Sequence, residues 1–237
     1  MACLLLRFDA PIMSFGGVCV DQINPSDTFP GKAMITGLIG NALGWDHRDT
    51  DRLDGLQDRL RIAARWDAEP QRLIDYHTVF LGQDHLVGTG WTTRGRTEGR
   101  GSGQATSGTH IRYRHYLANG VLTAAITVLG DDIPTLENIE QALKYPARPL
   151  FLGRKTCIPS EPILVGRRHA AHLIDVLRAE PLADIGPRRR PQVVTARWPA
   201  DDGGGYQPEA VYDRRDWGAN MPRGVHHYFT GPMEMMP

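Results

Sequence analysis

The chain is short of lysine and cysteine, has no net charge and carries no long apolar run. Its three cysteines, Cys3, Cys19 and Cys157, form no Cys-x-x-Cys pair. That odd, scattered set argues against a disulfide framework and against a structural zinc site, and suits free thiols in a reducing compartment. The longest apolar run near the N-terminus, Leu4-Leu5-Leu6, is hemmed in by Arg7 and Asp9. It is too short for the core of a signal peptide or for a membrane span. The chain is therefore expected to be cytoplasmic, with no membrane association. What is present is ordinary for a globular protein: 237 residues, 41% hydrophobic and 23% charged. A chain of this length buries enough surface to fold without a disulfide or metal staple.

A formal net charge of zero argues against a nucleic-acid partner, but the charge is unevenly spread. Residues 1–87 carry 8 Arg or Lys against 12 Asp or Glu, and residues 88–237 carry 19 against 15. Two segments hold the excess: residues 88–130 have five Arg against one Glu, and residues 148–190 have nine basic against four acidic residues. The basic residues are 24 Arg and only three Lys. Arg suits bidentate phosphate contacts and stacking on bases. A GC-rich coding sequence also favours Arg, so the clustering is the better signal.

Hydrophobic patterning places the elements. Residues 3–8 read as a buried strand ended by Asp9-Ala10-Pro11, and residues 12–27 as a loop with Gly16-Gly17. Phe29-Pro30-Gly31 opens a helix with Met34, Ile35, Leu38, Ile39 and Leu43 as its apolar stripe, ended by Gly44. Gly37 and Gly40 lie on that helix, where each costs up to about 1 kcal/mol relative to Ala. They allow either tight packing or close approach of a ligand. A second helix follows over 50–60, then strands over 61–67 and 73–80. Residues 82–108 lack periodicity and end in a Gly- and Ser-rich tip. Strand character resumes over 112–117 and 121–129 across Asn119-Gly120, a hairpin signal. A helix over 134–143 and a short strand over 150–152 complete the series.

This order predicts an α+β protein: a ferredoxin-like, RRM-like domain over residues 1–165, with a long β-hairpin or loop inserted at about 80–115. Residues 166–237 read as a smaller β-rich C-terminal lobe. RNA-recognition sheets use that scaffold.

Several clusters carry chemistry. Leu152-Gly153-Arg154-Lys155-Thr156-Cys157 ends like a phosphate loop, but Arg154 separates the glycine from the lysine, so the nucleotide-binding spacing fails. A basic glycine turn can still hold an RNA phosphate, or be an ordinary surface turn. Arg94, Arg96, Arg100, Arg112 and Arg114 interleave with Trp91, His110, Tyr113 and Tyr116. This pattern suits single-stranded nucleic acid, or equally a solvated charged loop. The pairs His169 with His172 and His226 with His227 lack neighbours at metal-site spacing, so no metal or cofactor is expected. Tyr76-His77 precedes the insertion, where the histidine is either structural or a general base. No Ser-His-Asp or paired-carboxylate arrangement stands out.

Five segments in order make the chain recognisable. They are residues 5–16, Phe29-Pro30-Gly31-Lys32 with Gly37-Leu38-Ile39-Gly40, Asp75-Tyr76-His77-Thr78-Val79, Arg112-Tyr113-Arg114-His115-Tyr116-Leu117, and the 152–157 turn with Pro159 and Pro162. Together they resemble the CasD-type subunits of the type I-E CRISPR surveillance complex Cascade. These belong to the wider superfamily of repeat-associated RNA-binding proteins. The resemblance covers residues 4–165. It implies a non-catalytic scaffold that grips the 5′ handle of the guide RNA (crRNA). It also implies a protruding thumb at the 80–115 insertion that packs on the backbone subunit. Further implied partners are the other Cascade subunits, including the large subunit, and target DNA only indirectly.

Carried over residue by residue, the resemblance assigns RNA contact to Ser14, Phe15 and Gly16 after the first strand, and to Lys32 at the start of the glycine-bearing helix. It assigns the thumb base to Tyr76 and His77, and the basic turn to Arg154, Lys155 and Cys157. With the composition of the insertion it brings in Arg94, Arg96, Arg112 and Arg114. The family commonly has Trp where this chain has Phe15, a change that keeps stacking and loses an indole N–H. The alternative is a metal-independent endoribonuclease of repeat RNA, with Tyr76, His77 and Lys155 as the nearest candidates. A third reading is a protein-interaction module whose arginines bind acidic partners.

Overall fold

The computed structural model describes residues 1–19, 21–80, 90–91, 97–98, 109–184, 191–204 and 207–236. The first half of the chain contains β1 (Ala2–Asp9), β2 (Ile12–Met13), β3 (Ile23–Asn24), α1 (Lys32–Ala42), α2 (Thr50–Arg59), β4 (Leu60–Ala68) and β5 (Gln71–Phe80). Short strands β6 (Gly90–Trp91) and β7 (Thr97–Glu98) pair with each other. Then come β8 (Thr109–Ala118), β9 (Val121–Val128), α3 (Leu136–Lys144), β10 (Leu164–His169), α4 (Leu173–Ala179), β11 (Val193–Pro199), β12 (Glu209–Asp216) and β13 (Met221–Glu234).

One antiparallel sheet organises the chain, in the order β10-β1-β9-β4-β11-β13-β12. Within it β1, α1, β4, β9, α3 and β10 trace a β-α-β-β-α-β path whose strands lie side by side as β10-β1-β9-β4. Successive side chains of a strand point to opposite faces, and both faces of β1 are covered, which explains its unbroken apolar run from Cys3 to Leu6. Leu4, Leu6 and Phe8 join a core with Ile35 and Ile39 of α1 and Ile139 of α3. Cys3 and Leu5 join a second core on the other face, with Leu173 and Leu177 of α4. α1 ends as its sequence suggests: Gly44 takes a left-handed φ of +78°, and the Trp45 N–H returns to the Gly40 carbonyl at 2.8 Å.

The fully buried Arg65 and Asp67 of β4 are paired at 2.7 Å. Arg65 also donates to the Glu180 and Pro181 carbonyls after α4, and Asp67 accepts from Thr123 and the Ala183 N–H. A buried pair is tolerable because each partner is satisfied this way.

The structure departs from the sequence reading in several places, among them short strands β2 and β3 within residues 12–27 and helix α4 in the tail. Residues 150–152 form no strand; the strand beside β1 is β10, whose alternating exposure and two arginines hid it in the tail. Residues 166–237 do not build a separate sheet: β11 pairs with the outer edge of β4 through Ala196↔Arg65 and Arg197↔Ala64. That pairing covers an edge that would otherwise be open. Finally, Asn119-Gly120 does not close a hairpin. β9 pairs with β1 and β4, whereas β8 pairs with β5, β2 and β3. The ribbon β4–β9 continues as β5–β8 across a bend where Glu69-Pro70 faces Asn119-Gly120. A β-carbon on Gly120 would stand 2.8 Å from Pro70 Cβ and from the Trp66 ring, so only glycine allows the bend. Among the described residues no helix is long and apolar enough to cross a membrane.

Candidate nucleic-acid interface

The residues after β1 and the 152–157 turn meet backbone to backbone. The Ser14 N–H donates to the Leu152 carbonyl at 3.1 Å, and a β-carbon on Gly153 would lie 1.5 Å from the Ser14 carbonyl oxygen. The turn closes on itself through Leu152 N–H to Cys157 O (2.7 Å) and Cys157 N–H to Arg154 O (2.8 Å). The first loop is held by Asp27 N–H to Gly16 O at 2.7 Å and Phe15 N–H to Ser26 Oγ at 3.0 Å.

Arg154 ties three segments together. Its guanidinium donates to the carbonyls of His115 on β8 (3.0 Å) and Asn24 on β3 (3.0 Å), and lies 4.6 Å from the Tyr116 ring centroid. Two of its five N–H groups go to these carbonyls. Lys155, next to it, is exposed.

The C-terminal hairpin β12–β13 supplies the opposite wall of a cleft of about 550 Å³. Ser14 to Cys19, Gly31, Ala33, Met34, Gly153 and Arg154 line one part of it, and Tyr212 to Arg215 with Met221 line another. Tyr212 is 67% exposed. Asp213, by contrast, is buried and anchors the hairpin to the start of α1. Its Oδ2 accepts from the Lys32 N–H and the Tyr228 hydroxyl, both at 2.9 Å, and its Oδ1 lies 2.5 Å from His226 Nδ1. A β-carbon on Gly31 would come within 2.6 Å of Asp213 Cβ, so glycine is required for this approach.

Burial pushes the Asp213 carboxyl up, but the hydrogen bonds from His226, Lys32 and Tyr228 together carry it below the ordinary carboxylate range. Burial lowers the Lys32 ammonium, opposed by Asp213, and raises the Asp27 carboxyl. The cleft is thus mixed in charge, with a glycine-lined floor and an exposed aromatic at its rim. Such a surface can admit a backbone closely and stack a base.

The β5–β8 ribbon has two distinct faces. In register, Asp75 faces Arg114 and His77 faces Arg112. His77 Nε2 also sits 2.6 Å from Asp75 Oδ2 along the same face. The other face carries Tyr76 against Tyr113, ring centroids 5.5 Å apart, beside the exposed Ile74. Arg112 further donates to the Asp21 carbonyl, fixing the loop before β3.

The expected site residues fall into groups. Ser14, Phe15, Gly16 and Arg154 line one cleft, with Lys32 on the adjoining turn of α1. Tyr76, His77, Arg112 and Arg114 sit on the ribbon. Arg94 and Arg96 lie outside the described residues. Three assignments need correction. The Phe15 ring is 3% exposed and packs 6.1 Å from Trp66, so it is a core residue and offers no stacking face. The Cys157 side chain is wholly buried, and burial raises its thiol pKa, so its part in the turn is played by its backbone. Ser14 is also buried, and contributes the loop backbone rather than a hydroxyl at the surface.

Sequence reasoning missed Tyr212, Arg214 and Arg215. The signal was present as Tyr212-Asp213-Arg214-Arg215, basic residues beside an aromatic, in a tail treated as a separate lobe. Among the described residues no group of three or more His, Cys, Asp or Glu is arranged to hold a metal.

Comparison with known proteins gives a consistent result. Residues 3–228 match the family described as CRISPR-associated protein Cas5. The chain is 27% identical over 176 residues to "CRISPR system Cascade subunit CasD" of Escherichia coli (strain K12), covering 71% of this chain and 72% of that protein. Its fold is similar to a chain of a CRISPR RNA-guided surveillance complex, with TM-score 0.75, 24% identity, and coverage of 98% of this chain and 90% of the other. A crystal structure of a Cas protein aligns with TM-score 0.62 at 21% identity, covering 98% and 94% of the two chains.

Proposed function

The chain belongs to the family of CRISPR-associated Cas5 proteins, and from that premise we propose that it is a non-catalytic, CasD-type subunit of a type I-E Cascade that grips the 5′ handle of the guide RNA. The observation that carries this reading is the convergence on one cleft of four elements: the loop after β1, the start of α1, the Gly153 turn and the β12–β13 hairpin. We read the β-α-β-β-α-β path as ferredoxin-like and the β5–β8 ribbon as the stem of a thumb. A single-stranded handle presents unstacked bases and phosphates, which such a scaffold reads at once. In guide-directed complexes base pairing reads the target while the proteins hold the RNA. The exposed apolar face of the ribbon, Ile74 with Tyr76 and Phe80, then serves contact with a backbone subunit.

Endonuclease chemistry is the competing reading. Tyr76 and His77 are consecutive residues of a regular strand and face opposite sides, so the two do not attend one scissile phosphate together. This supports a holding rather than a cutting role.

The test uses labelled repeat RNA in EDTA, with mature handle and uncut repeat side by side. The full chain is assayed both alone and assembled with the other subunits. Binding of the handle without cleavage is the expected result. Specific cutting of the repeat, lost in His77→Ala, would overturn the non-catalytic assignment.

A further inference from the structure

A second, smaller cleft of about 280 Å³ adjoins the first, and Ala33, Met34, Gly153 and Arg215 line both. One wall is the glycine face of α1. A β-carbon on Gly37 would lie 3.5 Å from Cη2 of Trp217, and one on Gly40 would lie 2.9 Å from Cδ2 of Leu53 and 3.6 Å from Cε3 of Trp45. The two tryptophans thus flank one helix face, and Phe151 also lines the space. Trp217 is 8% exposed, and its indole N–H is buried with no acceptor among the described residues.

Two arginines border the aromatic lining. Arg215 stands 5.1 Å from the Trp217 ring centroid. Arg148 is exposed and spends two donors on the Gly44 and Trp45 carbonyls, out of the five N–H groups that a guanidinium carries. The one carboxylate in the lining, Asp46, accepts from the Arg48 backbone N–H at 3.1 Å.

We propose, resting on the RNA-binding reading above, that this cleft is a base pocket. It receives one unpaired nucleobase from a single strand whose backbone lies in the first cleft. Three features favour a base over the other occupants. The lining is mainly aromatic and aliphatic, with the cations at its margin, which fits a planar ring better than a phosphate. The volume sits at the lower end of ligand pockets, about 300 Å³, which suits one ring system and no more. The shared wall at Gly153 and Arg215 makes the pocket continuous with the cleft that collects the basic and glycine residues. A protein side chain from a partner would need no such continuity.

The test plugs the pocket from its least disruptive side. Gly37→Leu fills the space, and Gly37→Ala is its control, since both residues favour a helix over glycine. Affinity is measured for labelled single-stranded RNA of repeat sequence, with the full chain alone and assembled with the other subunits. Gly37→Leu is expected to weaken binding by about 5- to 100-fold, the range of a lost base stack. The salt dependence should stay unchanged, because no phosphate contact is lost. In parallel, abasic nucleotides are scanned along the RNA with the wild-type protein. One position should cost a similar factor, and Gly37→Leu should lose nothing further there.

RNA affinity unmoved by Gly37→Leu, or an abasic scan with no such position, would overturn the pocket and leave the RNA-binding reading intact. RNA binding retained with a partner subunit lost would assign the cleft to a protein contact and equally overturn it. Absence of RNA binding by the wild type in both forms would overturn both readings.

Discussion

Gly153 and Ser14 touch through their backbones: a β-carbon at 153 would stand 1.5 Å from the Ser14 carbonyl oxygen, and Gly153 holds a left-handed φ of +95°. Both facts point to the same substitution. Gly153→Ala pays about 1–2 kcal/mol for the left-handed backbone and about 1–3 kcal/mol for overpacking. It forces the 14–17 loop away from the turn. Thermal unfolding should show a loss of several degrees, and RNA retention should fall with it. A stable Gly153→Ala protein with unchanged RNA binding would show that this contact does not shape the cleft.

Arg154 and Lys155 are neighbours with different tasks. Arg154→Ala removes two main hydrogen bonds to carbonyls and a contact with Tyr116, so a stability loss of about 2–4 kcal/mol is expected. Lys155→Ala should leave the unfolding transition where it is. It should reduce the slope of log affinity against log salt by the equivalent of about one phosphate contact. Denaturant titration and salt-dependent binding of the two single variants separate these outcomes. A double variant would blur them.

The backbone scaffold was legible because its signals are local. The continuous apolar run of β1, the stripe of α1 with Gly44 behind it, and the amphipathic α3 are each visible within a single element. Other features depend on which elements meet. Asn119-Gly120 has the composition of a hairpin turn, but its fit against Pro70 and Trp66 makes it the bend of a ribbon. Phe15 looks like a stacking platform in sequence, and only its contact with Trp66 from β4 reveals a core residue. The cleft could not be drawn from residues 1–165 alone, since Tyr212 and Asp213 enter it from β12, and β12 reaches it only by extending the sheet beyond β4.

Acid should weaken the junction between α1 and the hairpin. The Asp213 carboxyl titrates below its ordinary value in the folded state: burial raises it, and the hydrogen bonds from His226, Lys32 and Tyr228 outweigh that. A carboxylate depressed in this way contributes stability that is fully present above its unfolded value of about 3.9, and loses it as pH falls through the folded value. Asp27, raised by burial, opposes this, because its cost of ionisation is relieved in acid. Asp213→Asn should therefore cost about 1–3 kcal/mol at neutral pH. Its deficit relative to wild type should shrink as pH falls from about 4, where this carboxyl protonates in the unfolded chain, towards its lower folded value. Urea unfolding of both proteins across that range checks the sign. A deficit that stays constant would remove the carboxylate charge from the account.

Tyr212 tests whether the hairpin takes part in binding or only walls the cleft. It is 67% exposed on β12 and so has little buried surface to lose, and Tyr212→Ala should leave stability within about 0.5 kcal/mol of wild type. If the ring stacks on a base, affinity for the handle should drop by about 5- to 100-fold, Tyr212→Phe should restore it, and the salt dependence should not move. Tyr76 offers the contrast. It is also exposed, but it is paired with Tyr113 on the apolar face of the ribbon. Tyr76→Ala should spare binding of isolated RNA and reduce retention of a neighbouring subunit in pull-downs from the assembled complex. The two variants exchange outcomes if the ribbon, rather than the hairpin, stacks the RNA. Measuring both in one preparation therefore decides which aromatic surface meets the guide and which meets protein.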